Sequence, residues 1–214
     1  MPFLRVSNGT KRVQQEPGIL PALRRKVGFY EVVKMKVDIF APETAGKYAV
    51  IYADPPWSYT QGGHGAAKKH YNTMTAQEIK ELPVGGLAAE NAVLFMWATF
   101  PNLPQALETI QAWGFKYKTL AFNWIKFTRG GGRLFWGLGF WTRSNPEICL
   151  LAVKGKPKRM SASVHSVIQA PVEQHSKKPA ETRDRIVQLM GDVPRVELFA
   201  RQTAEGWDCW GNEV

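Results

Sequence analysis

In this 214-residue chain, the residue types that point most directly to chemistry are Asp54-Pro55-Pro56-Trp57. Two consecutive prolines fix φ and remove two N–H donors, which makes a rigid turn rich in acceptor carbonyls. Asp54 adds a carboxylate and Trp57 a broad indole face. A carboxylate and a proline carbonyl can accept the two hydrogens of an exocyclic amine while a ring holds its base. Trp57, Tyr59 and Tyr71 are the candidate stacking rings. The same four residues also read as an ordinary turn with Trp57 in the core, and the quartet alone favours that reading.

The surrounding elements must place that turn. Tyr48–Ala53 is a short apolar run ending at Asp54, the pattern of a buried strand. Thr75-Ala76-Gln77-Glu78 is a capping box opening a short helix that ends near Pro83. Ala92–Trp97 reads as a second buried strand. Leu103, Leu107, Ile110 and Trp113 share one face of a helix closed by Gly114. Thr119–Lys126 and Glu147–Lys154 follow as strands, and Val164–Gln169 as a weaker one. Pro179 suits the first turn of a helix running to Met190, with Gly191 ending it. Arg195–Ala200 is the final strand. Buried strands alternating with amphipathic helices predict an α/β, mostly parallel sheet with helices on both faces. Ligands of such sheets sit beyond the C-terminal strand ends. The segments after Ala53 and Phe199 are therefore the ones to watch. Residues 1–40, punctuated by Pro17, Gly18 and Pro21, read as a basic arm ahead of a domain spanning 41–214.

Charge points to the partner. The formal net charge is +10, which favours an anionic one. Residues 1–36 hold eight basic and two acidic residues. No acid occurs between Glu108 and Glu147, where Lys116, Lys118, Lys126, Arg129, Arg133 and Arg143 are interleaved with aromatic residues. Cations neutralise phosphates and flat rings stack on unpaired bases, so the mixture suits nucleic acid. It suits a basic surface over an aromatic core equally well.

Composition excludes other classes. At 44% hydrophobic and 21% charged, the chain is not disordered throughout. No apolar run reaches the roughly 18 residues of a membrane helix, and the first residues carry no signal-peptide segment. Two cysteines make neither a disulfide framework nor a four-ligand zinc site, and the histidines lack metal-ligand spacing, so no metal is expected. Gly130-Gly131-Gly132-Arg133 lacks the Gly-Lys-Ser/Thr of a P-loop and reads as a loop tip. A reducing cytoplasmic setting fits.

Six segments in order carry a resemblance. They are Tyr48–Trp57; Gly62–Met74 with His70-Tyr71-Asn72-Thr73-Met74; Leu94-Phe95-Met96-Trp97; Phe140-Trp141-Thr142-Arg143-Ser144-Asn145; His175-Ser176-Lys177-Lys178-Pro179; and Val196–Arg201 with Gly206-Trp207 and Gly211-Asn212-Glu213. Together they resemble the MT-A seventy-like family of S-adenosylmethionine-dependent adenine-N6 methyltransferases, from about Lys47 to Glu213. The loop version is similar to bacterial and phage members, which implies the cytoplasm of a bacterial or phage-infected cell.

The resemblance implies a Rossmann-like class I methyltransferase fold with the catalytic motif preceding the cofactor motif. It implies that Asp54, Pro55, Pro56 and Trp57 are catalytic. Asp38, Ile39, Asp54, Glu197, Leu198, Arg201, Asn212 and Glu213 fall on cofactor-contacting positions. Pro146 stands where eukaryotic members have a lysine near the cofactor carboxylate, leaving Lys177, or its neighbour Lys178, as that anchor. Tyr59, Tyr71, Arg129, Arg133 and Arg143 are the substrate candidates. The implied reaction methylates the N6 amine of adenine in nucleic acid, DNA before RNA, on a base that is flipped out or already single-stranded. Cytosine N4 is the runner-up target. A non-catalytic nucleic-acid-binding subunit is the alternative from another class, although such members usually lose the Asp-Pro-Pro-Trp motif kept here. The partner is nucleic acid, no membrane is implied, and a homo- or hetero-oligomer is compatible.

Overall fold

The computed structural model describes residues 39–58, 73–139, 141–173 and 177–214. Asp38, Tyr59, Tyr71 and the arm up to residue 38 lie outside them. Seven strands form one sheet: β1 (Tyr48–Ala53), β2 (Ala88–Ala98), β3 (Lys116–Phe127), β4 (Glu147–Lys154), β5 (Val167–Pro171), β6 (Arg195–Leu198) and β7 (Asp208–Trp210). Among the described residues four α-helices accompany it: α1 (Ala76–Glu81), α2 (Val84–Leu87), α3 (Leu103–Ala112) and α4 (Glu181–Met190). The strand order is β5-β3-β4-β2-β1-β6-β7. All pairs are parallel except those that β4 makes with β2 and β3. The sheet is mostly parallel with one reversed strand, a Rossmann-like α/β fold.

The central strands are buried on both faces, as a helix-covered sheet requires. Val50, Tyr52, Val93, Phe95 and Trp97 pack with Ile186 and Met190 of α4. The alternate residues Ile51, Ala53, Leu94 and Met96 are equally buried and point to the opposite face, where α3 packs along β2 and β3. The expected helix signals operate. Thr75 and Glu78 complete a reciprocal capping box at α1, and Gly114 and Gly191 adopt positive φ after α3 and α4.

Two features depart from the expectation. Leu87 to Ala88 runs from α2 straight into β2, so that strand begins ahead of the expected Ala92. β7 and α2 were not anticipated, because three and four residues are too few for a period to show. Only residues 199–207 separate the parallel neighbours β6 and β7, fewer than the dozen or more of an ordinary crossover. This segment has no helix and folds over the strand ends. Packing also begins ahead of residue 41: Ile39 is buried, and the Phe40 ring meets Trp210 edge-on at 5.3 Å.

Candidate active site

β1 and β6 run side by side and finish together, Ala53 opposite Leu198. The Asp-Pro-Pro-Trp turn and the segment after β6 therefore share one edge, where a parallel sheet binds ligands. The strand-to-turn transition is held on both sides. The Trp57 N–H donates to the Pro55 carbonyl at 2.9 Å and the Met74 N–H to the Pro56 carbonyl at 2.9 Å. Both proline carbonyls already accept one hydrogen bond, which corrects the reading of them as open acceptors. Each keeps a second lone pair. Trp57 is corrected too. It is 7% exposed, and its indole N–H donates to the Trp97 carbonyl at 3.1 Å. It is a core residue beneath the turn, not an open stacking face.

Asp54 anchors a line of alternating charge. Lys178 Nζ lies 2.8 Å from Asp54 Oδ1 and Oδ2 and 3.3 Å from a Glu147 oxygen. Glu147, the first residue of β4, also pairs with Lys126 near the end of β3. Two carboxylates and two ammonium groups thus cancel within a half-buried cluster, and each charge has a partner, as burial demands. Lys178 Nζ also sits 5.6 Å above the Trp97 ring, whose indole N–H donates to the buried Tyr52 hydroxyl at 2.7 Å.

Burial pushes the Asp54 carboxyl above the ordinary carboxylate range, and the pull of Lys178 offsets this only in part. Burial acts the same way on Glu147, but the ammonium groups of Lys178 and Lys126 outweigh it and hold that carboxyl low. For Lys178, burial favours the neutral amine, yet Asp54 and Glu147 together raise it and keep it charged.

A cavity of about 170 Å³ opens beside this cluster, lined by Asp54, Pro55, Pro56, Arg201, Asn212 and Glu213 among others. A second, of about 80 Å³, shares Asp54, Phe199, Arg201 and Glu213 and adds Tyr52, Lys178, Arg183 and Glu197. The wall between β6 and β7 is sharply bent. Phe199 has φ 62°, a left-handed conformation that a bulky residue adopts at a cost of roughly 1–3 kcal/mol. A Cβ on Gly211 would fall 2.1 Å from the Ala200 carbonyl oxygen, so the closing loop can lie against β6 only with glycine there.

The structure brings most of the anticipated residues together. Asp54, Arg201, Asn212 and Glu213 line the larger cavity, and Arg201 faces Glu213 at 3.7 Å. Glu197 lines the smaller one and is gripped by the Arg183 guanidinium through two hydrogen bonds. Burial raises its carboxyl despite that grip. Leu198 is buried in β6. Ile39 accepts a hydrogen bond from Thr44 next to Phe40, whose partner Trp210 lines the larger cavity. Lys177 borders the smaller cavity but pairs with Glu173. Its neighbour Lys178 is the lysine that reaches Asp54.

Arg129, Arg133 and Arg143 are exposed on the loop between β3 and β4, and Arg129 donates to the Glu173 carbonyl at 3.2 Å. None of the three lines either cavity. Glu147 and Arg183 were not singled out from sequence, and Lys126 stood out only as one of several basic residues. Glu147 did carry a signal: it is the acid that ends the acid-free stretch, at the start of a strand leading from the catalytic edge. Arg183 carried none, because its meaning depends on α4 packing against β6.

Comparison with known proteins agrees with this geometry. The MT-A70 family model matches residues 48–213. The "Type II methyltransferase M.MunI" of a Mycoplasma species is 34% identical over 200 residues, 83% of this chain and 82% of that protein. The human "N(6)-adenosine-methyltransferase catalytic subunit METTL3" is 30% identical over 173 residues, 79% of this chain. The Arabidopsis thaliana "N(6)-adenosine-methyltransferase MT-A70-like" is 27% identical over 192 residues, 88% of this chain. The chain spans only 28% and 27% of those two longer proteins. With the family model covering most of the sequence and the Asp-Pro-Pro-Trp turn at the joined ends of β1 and β6, this chain belongs to the MT-A70 family of methyltransferases.

Proposed function

We propose that this protein transfers a methyl group from S-adenosylmethionine to the N6 amine of adenine in nucleic acid, and that the nucleic acid is DNA. The observation that carries the reading is the Asp54 carboxylate. It is fixed by Lys178 at the rim of the cavity between the ends of β1 and β6.

The residues around the cavity fit the cofactor. Arg201, Asn212 and Glu213 offer a guanidinium, an amide and a carboxylate on one wall, the donor and acceptor set for ribose hydroxyls. Asp54 lines the same cavity and the charged Lys178 the adjoining one, a carboxylate and an ammonium suited to the cofactor's ammonium and carboxylate. Gly211 and the left-handed Phe199 line the same cavity, with Gly211 against the Ala200 backbone. When bound, the sulfonium supplies an already electrophilic methyl carbon.

What the protein must arrange is the nucleophile, since adenine's amine lone pair is delocalised into the ring. Asp54 accepts one amine hydrogen and the remaining lone pair of the Pro55 carbonyl accepts the other. The nitrogen is drawn toward a tetrahedral shape with its lone pair directed at the cavity. The rate gain is positioning and charge stabilisation. Lys178 favours the ionised form of Asp54 against the effect of burial, and Glu147, balanced by Lys126, helps hold Lys178 charged. The amine proton becomes acidic only as the new C–N bond forms, so a modestly basic carboxylate suffices to receive it.

Similarity to a type II methyltransferase along most of both chains supports DNA. Similarity to the N(6)-adenosine-methyltransferases supports RNA as the second reading. Incubation with labelled S-adenosylmethionine and matched deoxy- and ribo-oligonucleotides, followed by mass analysis of nucleosides, separates them. N6-methyl-2′-deoxyadenosine is the expected product. Predominant labelling of the ribo-oligonucleotide would move the assignment to RNA, and labelled N4-methylcytosine would overturn the base.

A further inference from the structure

We infer that Trp136 and Trp141 form a stacking platform for unpaired bases flanking the target nucleotide, so that the substrate is engaged as a single strand or a locally opened duplex. This rests on the nucleic-acid reading above and adds to it the strandedness of the substrate.

The chain has eight tryptophans. Trp57, Trp97, Trp113, Trp124, Trp207 and Trp210 are each 9% exposed or less, whereas Trp136 is 58% and Trp141 100% exposed. Both outliers lie on the loop joining β3 to β4, with Leu138 beside them at 76%. Two large apolar rings left exposed on one loop are uncommon on a protein surface without a partner.

The loop presents them from an ordered frame. Leu134 bridges to Phe127, and the Phe135 N–H donates to the Lys126 carbonyl at 2.9 Å. The Gly137 N–H donates to the Ser144 carbonyl at 2.7 Å. The buried Asn145 amide donates to the carbonyls of Lys126 and Phe135. The base of this frame is the active site itself, since Lys126 pairs with Glu147 and Glu147 with Lys178.

The chemistry of the occupant follows from charge. The loop carries Arg129, Arg133 and Arg143 and no acid, so it matches a partner with phosphates and flat faces. Exposed rings beside cations are how single strands are held without base-edge readout. A second copy of the chain would set this basic loop against an equally basic one if the loops met about a twofold axis. Paired bases bury their faces in the stack, so the platform has use only for unpaired ones.

The test compares the wild type with the Trp136→Ala/Trp141→Ala and Trp136→Phe/Trp141→Phe variants. The probes are a labelled single-stranded dodecanucleotide containing one adenine and its fully paired duplex, read by fluorescence anisotropy. The alanine pair should weaken single-strand binding by about tenfold or more, the size expected when base stacking is removed. The duplex should be affected less, S-adenosylmethionine affinity should be unchanged, and the phenylalanine pair should keep most of the single-strand affinity. Unchanged single-strand affinity in the alanine pair overturns the platform. So does sedimentation showing that the wild type is a dimer and that the alanine pair falls to monomer with strand binding intact, because the loop is then an interface between copies. Methylation of the same dodecanucleotide by the wild type is scored separately. Its absence would count against the proposed reaction, while the binding comparison still decides the platform.

Discussion

Asp54 and Glu147 are two carboxylates on opposite sides of one ammonium group, and their surroundings drive them apart: Asp54 up through burial, Glu147 down through Lys178 and Lys126. The sign of each neighbour's effect on Asp54 gives a paired prediction. A reaction that needs ionised Asp54 is lost as pH falls through its raised pKa, forming the acid limb of kcat/KM. Replacing Lys178 by Met removes the charge that favours the carboxylate, so the limb should move to higher pH. Replacing Glu147 by Gln removes a like charge, so the limb should move to lower pH. Shifts in the same direction, or none, would remove Asp54 as the titrating group. Lys178→Met also leaves two buried carboxylates undercompensated and should destabilise the fold by about 3–5 kcal/mol, measurable by urea unfolding. At this scale Asp54 was legible because its neighbours are prolines after an apolar run. Lys178 was harder to separate from Lys177, since adjacent lysines before a helix look alike until the chain direction turns one inward. Of the two readings of Trp57, the core one was not separable from the stacking one in sequence, because its indole partner, the Trp97 carbonyl, lies 40 residues away.

The connection between β6 and β7 is the element on which the proposed cofactor site depends. It joins parallel neighbours through residues 199–207 alone and bends through a left-handed Phe199, and Gly211, just after β7, closes against the Ala200 backbone. Gly211→Ala must displace that backbone, and a stability loss of roughly 1–3 kcal/mol with a smaller donor-induced thermal shift is expected. An unaltered denaturation midpoint and an unaltered shift would show that the close approach is not maintained. Arg201→Ala, within that connection, and Asn212→Ala, just beyond β7, act on the lining of the larger cavity. Each should weaken S-adenosylmethionine by roughly tenfold in calorimetry, and equal affinity in both would remove this wall from the cofactor site. β1, β2, β4 and α4 were legible because their apolar periods run long enough to show and their ends carry proline, glycine or a capping box. β7 was not legible, because its three residues take their strand geometry from pairing with β6 rather than from their own pattern. Arg183 became meaningful for the same reason: only the packing of α4 on the sheet delivers its guanidinium to Glu197.

Across the whole molecule, the acid-free stretch from 109 to 146 divides by role. Lys116, Lys118 and Lys126 lie on β3, while Arg129, Arg133 and Arg143 crown the loop at the catalytic edge. Arg129→Ala/Arg133→Ala should weaken DNA binding and reduce the slope of log affinity against log salt by about 0.7 to 0.9 for each phosphate left without its cation, with S-adenosylmethionine affinity unaltered. An unchanged slope would mean that these cations only solvate the surface. No helix among the described residues is long and apolar enough to cross a membrane. That the carboxylate at the end of β1 receives the adenine amine can be measured directly. Single-turnover methyl transfer to an adenine-containing oligonucleotide is compared between the wild type and Asp54→Asn, after unfolding and calorimetry have shown that the variant is folded and binds S-adenosylmethionine. The wild type should form N6-methyladenine, and the variant should do so more slowly by about a hundredfold or more. Methyl transfer by Asp54→Asn at a rate near that of the wild type would contradict the role given to this carboxylate.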